Sequence, residues 1–229
     1  MRKIFIACDT SDPKKVNRII KNSQLKTQGY RVGYKFGLEF FYSIKGRQFI
    51  SRLKNKIIFL DLKLNDIGNT CVAAIKSLKD LKNINYLTVH ANAGEATLKS
   101  VVKATRKYNK KIRVIAITVL TSISNANIKQ IGHTRSIKDL VRKQALLAKA
   151  CGCHGIVCAG PDTKFIKKIF KKEIIVPGIR LKGDSAGDQK RISDPKEAFS
   201  NGATSIVVGR SITKNNIRKN IKRLIKELK

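Results

Sequence analysis

Residues 56–64 read KIIFLDLKL. Six of the nine are apolar, and Ile57, Ile58 and Phe59 are of the β-branched or aromatic kind that suits a strand. A near-continuous apolar run of this length fits a strand buried on both faces, as in a parallel sheet. The run ends in charge. Alternation of side chains along a strand puts Asp61 and Lys63 on the same face. Burying such a pair is costly unless further charges or hydrogen bonds satisfy it. The stretch therefore predicts a buried parallel strand that delivers a charged pair at its C-terminal end.

Seven other runs resemble it: KIFIACD (3–9), YRVGYKFG (30–37), YLTVHA (86–91), IRVIAIT (112–118), GIVCAG (155–160), EIIVPGIR (173–180) and SIVVGR (205–210). Helical patterns separate them. Asp12-Pro13 opens the first, with Pro at an early helical position. The rest lie near 39–54, 67–81, 94–108, 135–151, 163–172, 195–201 and 214–228. Asp162 and Asp194 are placed to act as N-caps. In the last helix Ile217, Ile221, Leu224, Ile225 and Leu228 form one apolar stripe. Alternating strands and helices imply a parallel sheet with right-handed crossovers. A count of eight points to closure into a (β/α)8 TIM barrel. An open doubly wound sheet shares the pattern, but no Gly-rich dinucleotide fingerprint follows the first strand. With 229 residues the chain fits one barrel, so residues 1–229 are expected to form a single α/β domain. The longest irregular stretches are 119–133 and 181–194, and long loops in a compact domain are often functional.

The chain carries 49 Lys and Arg against 15 Asp and Glu, for a net charge of +34. Such a balance attracts anions and binds nucleic acid non-specifically. The cations are spread over every expected helix and mixed with Ile and Asn, all favoured by AT-rich coding, so compositional drift accounts for most of the excess. No membrane-length apolar run occurs. MRKIFIACDT has too short an apolar core for a signal peptide and reads as the first strand, so a cytoplasmic location is expected. Cys8, Cys71, Cys151, Cys153 and Cys158 are odd in number and do not suggest a disulfide framework. Cys151, Cys153 and His154 are expected at a helix end and its turn, because Cys-x-Cys is not a usual structural zinc spacing.

In a barrel the chemistry sits at the C-terminal strand ends. Polar residues fall there repeatedly: Asp9, Lys35, Asp61 with Lys63 and Asp66, His90, Thr121 with Ser122, Pro177 to Arg180, and Gly209-Arg210. Lys35 and Asp66 can extend the Asp61–Lys63 pair into an alternating chain of cations and anions. The loops after strands seven and eight are the usual phosphate site of such barrels. Gly178 and Gly209 allow close backbone approach, and Arg180 and Arg210 supply guanidinium forks for phosphate oxygens. His133 and His154 have no evident partners, and His90 is read as structural rather than catalytic.

The run Asp61-Leu62-Lys63-Leu64-Asn65-Asp66-Ile67 resembles the DxKxxDI signature of the orotidine 5′-phosphate decarboxylase family. The resemblance continues in order with Asp9, GYKFG around Lys35, VHANAG from Val89, LTS at 120–122, PGIR at 177–180, DQKR at 188–191 and VVGRSI at 207–212. It covers essentially the whole barrel. It implies decarboxylation of orotidine 5′-phosphate to UMP, the last step of de novo pyrimidine nucleotide synthesis, without metal or cofactor. It maps a catalytic tetrad onto Lys35, Asp61, Lys63 and Asp66, with Lys63 as proton donor. It implies a homodimer in which Asp66, Ile67 and Thr70 act across the interface. It places Asp9 and Lys35 at the ribose, and Thr121 or Ser122 at the pyrimidine. It adds Pro177 to the substrate site and puts Arg180, Gln189, Gly209 and Arg210 on the phosphate, with Gln189 on a closing lid hinged near Gly183 and Gly187.

Two other readings remain at this stage. A magnesium-dependent sugar-phosphate decarboxylase or synthase of the same barrel type would carry an acidic residue on strand two, where this chain has Lys35. A nucleic-acid-binding barrel without catalysis fits the charge. No recognition motif supports it, and aromatics are only 6% with no Trp to stack on bases.

Overall fold

The computed structural model describes residues 1–24 and 28–228. Eight strands close into one parallel barrel in sequence order. They are β1 (Arg2–Ala7), β2 (Tyr30–Gly37), β3 (Ile57–Leu64), β4 (Ile84–His90), β5 (Arg113–Ile117), β6 (Gly155–Val157), β7 (Glu173–Val176) and β8 (Ser205–Val208). The helices are α1 (Pro13–Asn22), α2 (Leu38–Phe41), α3 (Gly46–Arg52), α4 (Gly68–Ser77), α5 (Gly94–Tyr108), α6 (Asn125–Gln130), α7 (Ile137–Ala150), α8 (Thr163–Ile169), α9 (Pro195–Ser200), α10 (Arg210–Thr213) and α11 (Ile217–Leu228). No described helix is long and apolar enough to cross a membrane.

Alternation along the strands builds two cores. One face packs on the helices through residues such as Ile4, Ile6, Ile58, Leu60 and Leu87. The other fills the barrel with Phe5, Ala7, Phe59, Tyr86, Ile115, Ile175 and Val207. Phe5, Phe59 and Tyr86 meet edge-on, with ring centroids 5.0 to 5.8 Å apart. Gly33 makes room for them, since a Cβ there would lie 2.7 Å from the Phe5 ring. Beneath this aromatic layer the floor holds a second charged group. Glu173 is buried and takes Lys3 Nζ at 2.9 Å and Ser205 Oγ at 3.0 Å. Arg113 approaches it to 3.6 Å.

Several boundaries differ from the sequence expectation. The helix expected over 39–54 is two, α2 and α3. The Phe40 carbonyl lies only 1.6 Å from where a Cβ on residue 46 would sit, so the chain can turn there only because residue 46 is glycine. β7 stops at Val176 because Pro177 has no N–H for the ladder and Gly178 takes φ +72°. The stretch 119–133 is not wholly irregular. It contains α6, opened by a capping box between Ser124 and Asn127. Asp194 caps α9 as expected, accepting the Glu197 N–H. Asp162 does not cap α8: its backbone is already helical and its carboxylate binds Arg191 instead. His154 sits in the expected turn after α7, but it has a partner, accepting the Val114 N–H at 3.1 Å. All five cysteines are free and buried.

Candidate active site

The C-terminal strand ends enclose a cleft of about 240 Å³. Its lining gathers Asp9, Lys35, Asp61, Lys63, Thr121, Pro177, Gly178, Arg180, Gln189, Gly209 and Arg210, drawn from seven strand ends and loops that are distant in sequence. The ion pairs form one relay. Asp9 accepts from Lys35 at 2.9 Å, Lys35 Nζ lies 3.6 Å from Asp61, and Lys63 donates to Asp61 at 2.8 Å. Burial opposes charge on Asp61, but Lys35 and then Lys63 overcome it and hold its carboxyl below the usual value. Burial likewise opposes the Lys35 cation, and Asp61 and Asp9 raise its pKa in spite of that. Lys35 and Asp61 are therefore charged together near neutrality.

Asp61 and Lys63 share the cleft as alternation predicts, but the strand between them is not regular. The β3–β4 register jumps from Leu60 opposite Leu87 to Leu64 opposite Val89. Three residues of β3 thus face one residue of β4, Thr88. Lys63 takes φ +50°, a left-handed conformation costing a non-glycine residue about 1–2 kcal/mol. Its N–H donates to Thr88 Oγ1 at 2.8 Å, and Thr88 Oγ1 donates to Asp61 at 3.1 Å. Nothing in the run TVH distinguishes this threonine from an ordinary strand residue.

His90, two residues on, caps a short turn by accepting the Asn92 N–H at 3.2 Å. Burial and then Lys63 lower its pKa, so it is a neutral acceptor there. Cys158 also borders the cleft, but burial pushes its thiol up to about 12 and leaves no thiolate for nucleophilic work. Among the described residues no three His, Cys, Asp or Glu side chains converge as metal ligands.

The loop 181–191 folds over the end of the cleft lined by Arg180 and Arg210. Arg180 is buried and spends its donors on the carbonyls of Ile179, Ser185 and Ala186, so it frames the loop from beneath. Arg210 is half-exposed and pairs with Asp188 of the loop. Gly187, at φ +63°, lets the Arg210 guanidinium pass where a Cβ would come within 2.9 Å of it. Thr121 donates to Gln189 and so closes the loop against the β5 side. Arg191 roots the loop, binding Asp162 at 2.6 Å and the Val119 carbonyl at 2.9 Å. Burial outweighs that arginine and raises the Asp162 pKa. Neither Asp162 nor Arg191 was singled out as a site residue from the sequence.

Four expected residues lie outside the cleft of their own chain. Ser122 is exposed, which leaves Thr121 as the member of that pair that faces the cavity. Asp66, Ile67 and Thr70 are exposed at the start of α4, with Ile67 at 70%. The Asp66 carboxylate accepts only the neighbouring Ile67 N–H, at 2.7 Å, among described groups.

Comparison with known proteins agrees with the fold. The chain is 44% identical to orotidine 5′-phosphate decarboxylase of Buchnera aphidicola subsp. Schizaphis graminum, over 81% of this chain and 80% of that one. It is 40% identical to the protein of the same name from Wolbachia sp. subsp. Brugia malayi, over 98% of both. The crystal structure of orotidine 5′-phosphate decarboxylase from Lactobacillus acidophilus superposes with a TM-score of 0.84 at 28% identity, over 100% of this chain and 99% of that one. The model of the Orotidine 5′-phosphate decarboxylase / HUMPS family matches residues 2–223, and the chain belongs to that family.

Proposed function

We propose that the chain decarboxylates orotidine 5′-phosphate to UMP and CO2, supplying UMP for pyrimidine nucleotide synthesis, and that its single barrel domain is the catalytic unit. The observation that carries this reading is the Asp9–Lys35–Asp61–Lys63 relay, which opens onto the same cleft as Arg210 and the 181–191 loop. Breaking the bond between C6 and the carboxylate leaves an electron pair on C6 with little resonance help. The Lys63 ammonium, held by Asp61 and partly open to the cavity, stabilises that charge and then delivers a proton to C6. Asp61 beside the departing carboxylate favours its loss as neutral CO2. Asp9 and Lys35 serve the ribose, and Thr121 with Pro177 borders the pyrimidine.

Phosphate is held by Arg210, the Gly209 backbone and Gln189, with Arg180 shaping the loop that covers it. Binding there, far from C6, supports closure over the ring. Asp66, Ile67 and Thr70 complete the partner's cleft in a homodimer. Their exposure supports this, as does that of the large apolar residues Leu38, Tyr42 and Ile44 after the neighbouring strand β2. Five free, buried thiols suit a reducing cytoplasm. The sugar-phosphate relatives of this barrel would need an acidic group where Lys35 stands, and here a lysine binds both nearby carboxylates. The test is an ultraviolet assay with orotidine 5′-phosphate in EDTA. Conversion to UMP, lost in Lys63→Ala, supports the reading. An inactive, folded wild type, or an active Lys63→Ala, removes it.

A further inference from the structure

We propose that Thr88 is a positioning residue for the reaction, its hydroxyl holding Lys63 and Asp61 in their working geometry; this rests on the decarboxylase reading above. Where Asp61, Leu62 and Lys63 bulge against the single residue Thr88, the regular β3–β4 bonding is interrupted. A bulged residue loses its ladder partner and needs another. Thr88 is fully buried and supplies it, accepting the Lys63 N–H at 2.8 Å. That bond secures the left-handed turn at Lys63, a conformation that persists only where its surroundings impose it.

The same hydroxyl hydrogen points at Asp61 Oδ1, 3.1 Å away, on the side of the carboxylate opposite the lysines, which both approach Oδ2. One oxygen of Asp61 thus orients the cations while the other is fixed by Thr88. Turning the carboxylate would break contacts at both ends. A valine in place of Thr88 keeps the branched shape but leaves the Lys63 N–H unpaired and one Asp61 oxygen without its donor.

The experiment compares Thr88→Val with wild type in orotidine 5′-phosphate turnover, with Thr88→Ser and Thr88→Ala as a second pair differing by one hydroxyl. The inference expects kcat to fall about 10- to 100-fold in Thr88→Val, the size of a lost hydrogen bond to a charged group, with KM within a few-fold. It expects the acid limb of the pH–rate profile to move to higher pH, because Thr88 helps keep Asp61 ionised. Thr88→Ser should recover most of kcat and Thr88→Ala should not. A role in packing alone would lower thermal stability and leave the acid limb in place. Folded Thr88→Val with kcat within twofold of wild type overturns the inference, as do equal rates for the serine and alanine variants. If wild type itself does not turn over, the decarboxylase reading fails and takes the inference with it.

Discussion

The two ends of this barrel each bury a carboxylate among cations, and they differ in what is left open. At the floor, Glu173 is nearly sealed and is met by Lys3, Arg113 and Ser205. At the mouth, Asp61 is equally well partnered, but Lys63 keeps about a third of its side chain exposed to the cleft. The mouth also contains a left-handed lysine on an interrupted ladder, whereas the floor residues lie in regular strands. A relaxed network around a sealed carboxylate, with Arg113 half-exposed at its rim, is what stability asks for. An open network with a cation held under constraint is what charge stabilisation in a transition state asks for.

The sharpest way to break this comparison is to delete one charge at each end. Lys63→Ala should cut turnover at least about 10⁴-fold, the loss of a positioned proton donor and cation, while folding stability changes little. Steady-state kinetics beside urea unfolding checks both halves. Glu173→Ala should do the reverse. It strips the partner from Lys3 and should cost about 3 kcal/mol of stability, with kcat unchanged in the surviving folded protein. A large kcat effect at Glu173 would mean the two ends are not separate.

Smaller effects sharpen the picture of the mouth. Arg210→Ala should raise KM for orotidine 5′-phosphate about 10- to 100-fold, the value of a charge-assisted contact to phosphate, and leave uridine binding alone. The smallest expected effect is in the pH dependence of unfolding. Asp61 has a lowered pKa in the fold, so its contribution is complete above about pH 4 and is lost as pH falls through the lower folded value. For Lys3, burial works against the cation but Glu173 more than compensates, and the pKa is raised. Its contribution is complete below about pH 10.4 and is lost as pH rises through the folded value. Asp61→Asn should flatten the acid limb of the stability curve and Lys3→Met part of the alkaline limb, where Lys35 also contributes.

The same contrast explains what could be read in the sequence. The barrel was legible because eight apolar runs alternate with amphipathic ones, a pattern that parallel sheets impose. The pair Asp61–Lys63 was legible because two-residue spacing is a local property. Thr88 was not, because its partners lie 25 and 27 positions away and nothing in a strand threonine advertises a bulge opposite. The left-handed Lys63 left no trace, since no glycine or asparagine marks the position. Asp162 misled for a related reason. Its place before a helix suggested a cap, and only the fold brings Arg191, 29 residues on, close enough to win it. Arg180 and Arg210 looked alike as Gly/Arg strand ends, yet three backbone carbonyls occupy the first, while the second stays half-exposed and pairs with Asp188.

The rings of Phe5, Phe59 and Tyr86 lie between the two networks. Along β7, Glu173 at the floor and Pro177 at the mouth are four residues apart, about 13 Å in an extended strand. Groups separated by more than about 7–10 Å of packed protein usually contribute additively. The aromatic layer thus works as an insulator. Substitutions that strengthen the floor can be combined freely with those that retune the mouth, and a stabilised form of this barrel need not give up any of its chemistry.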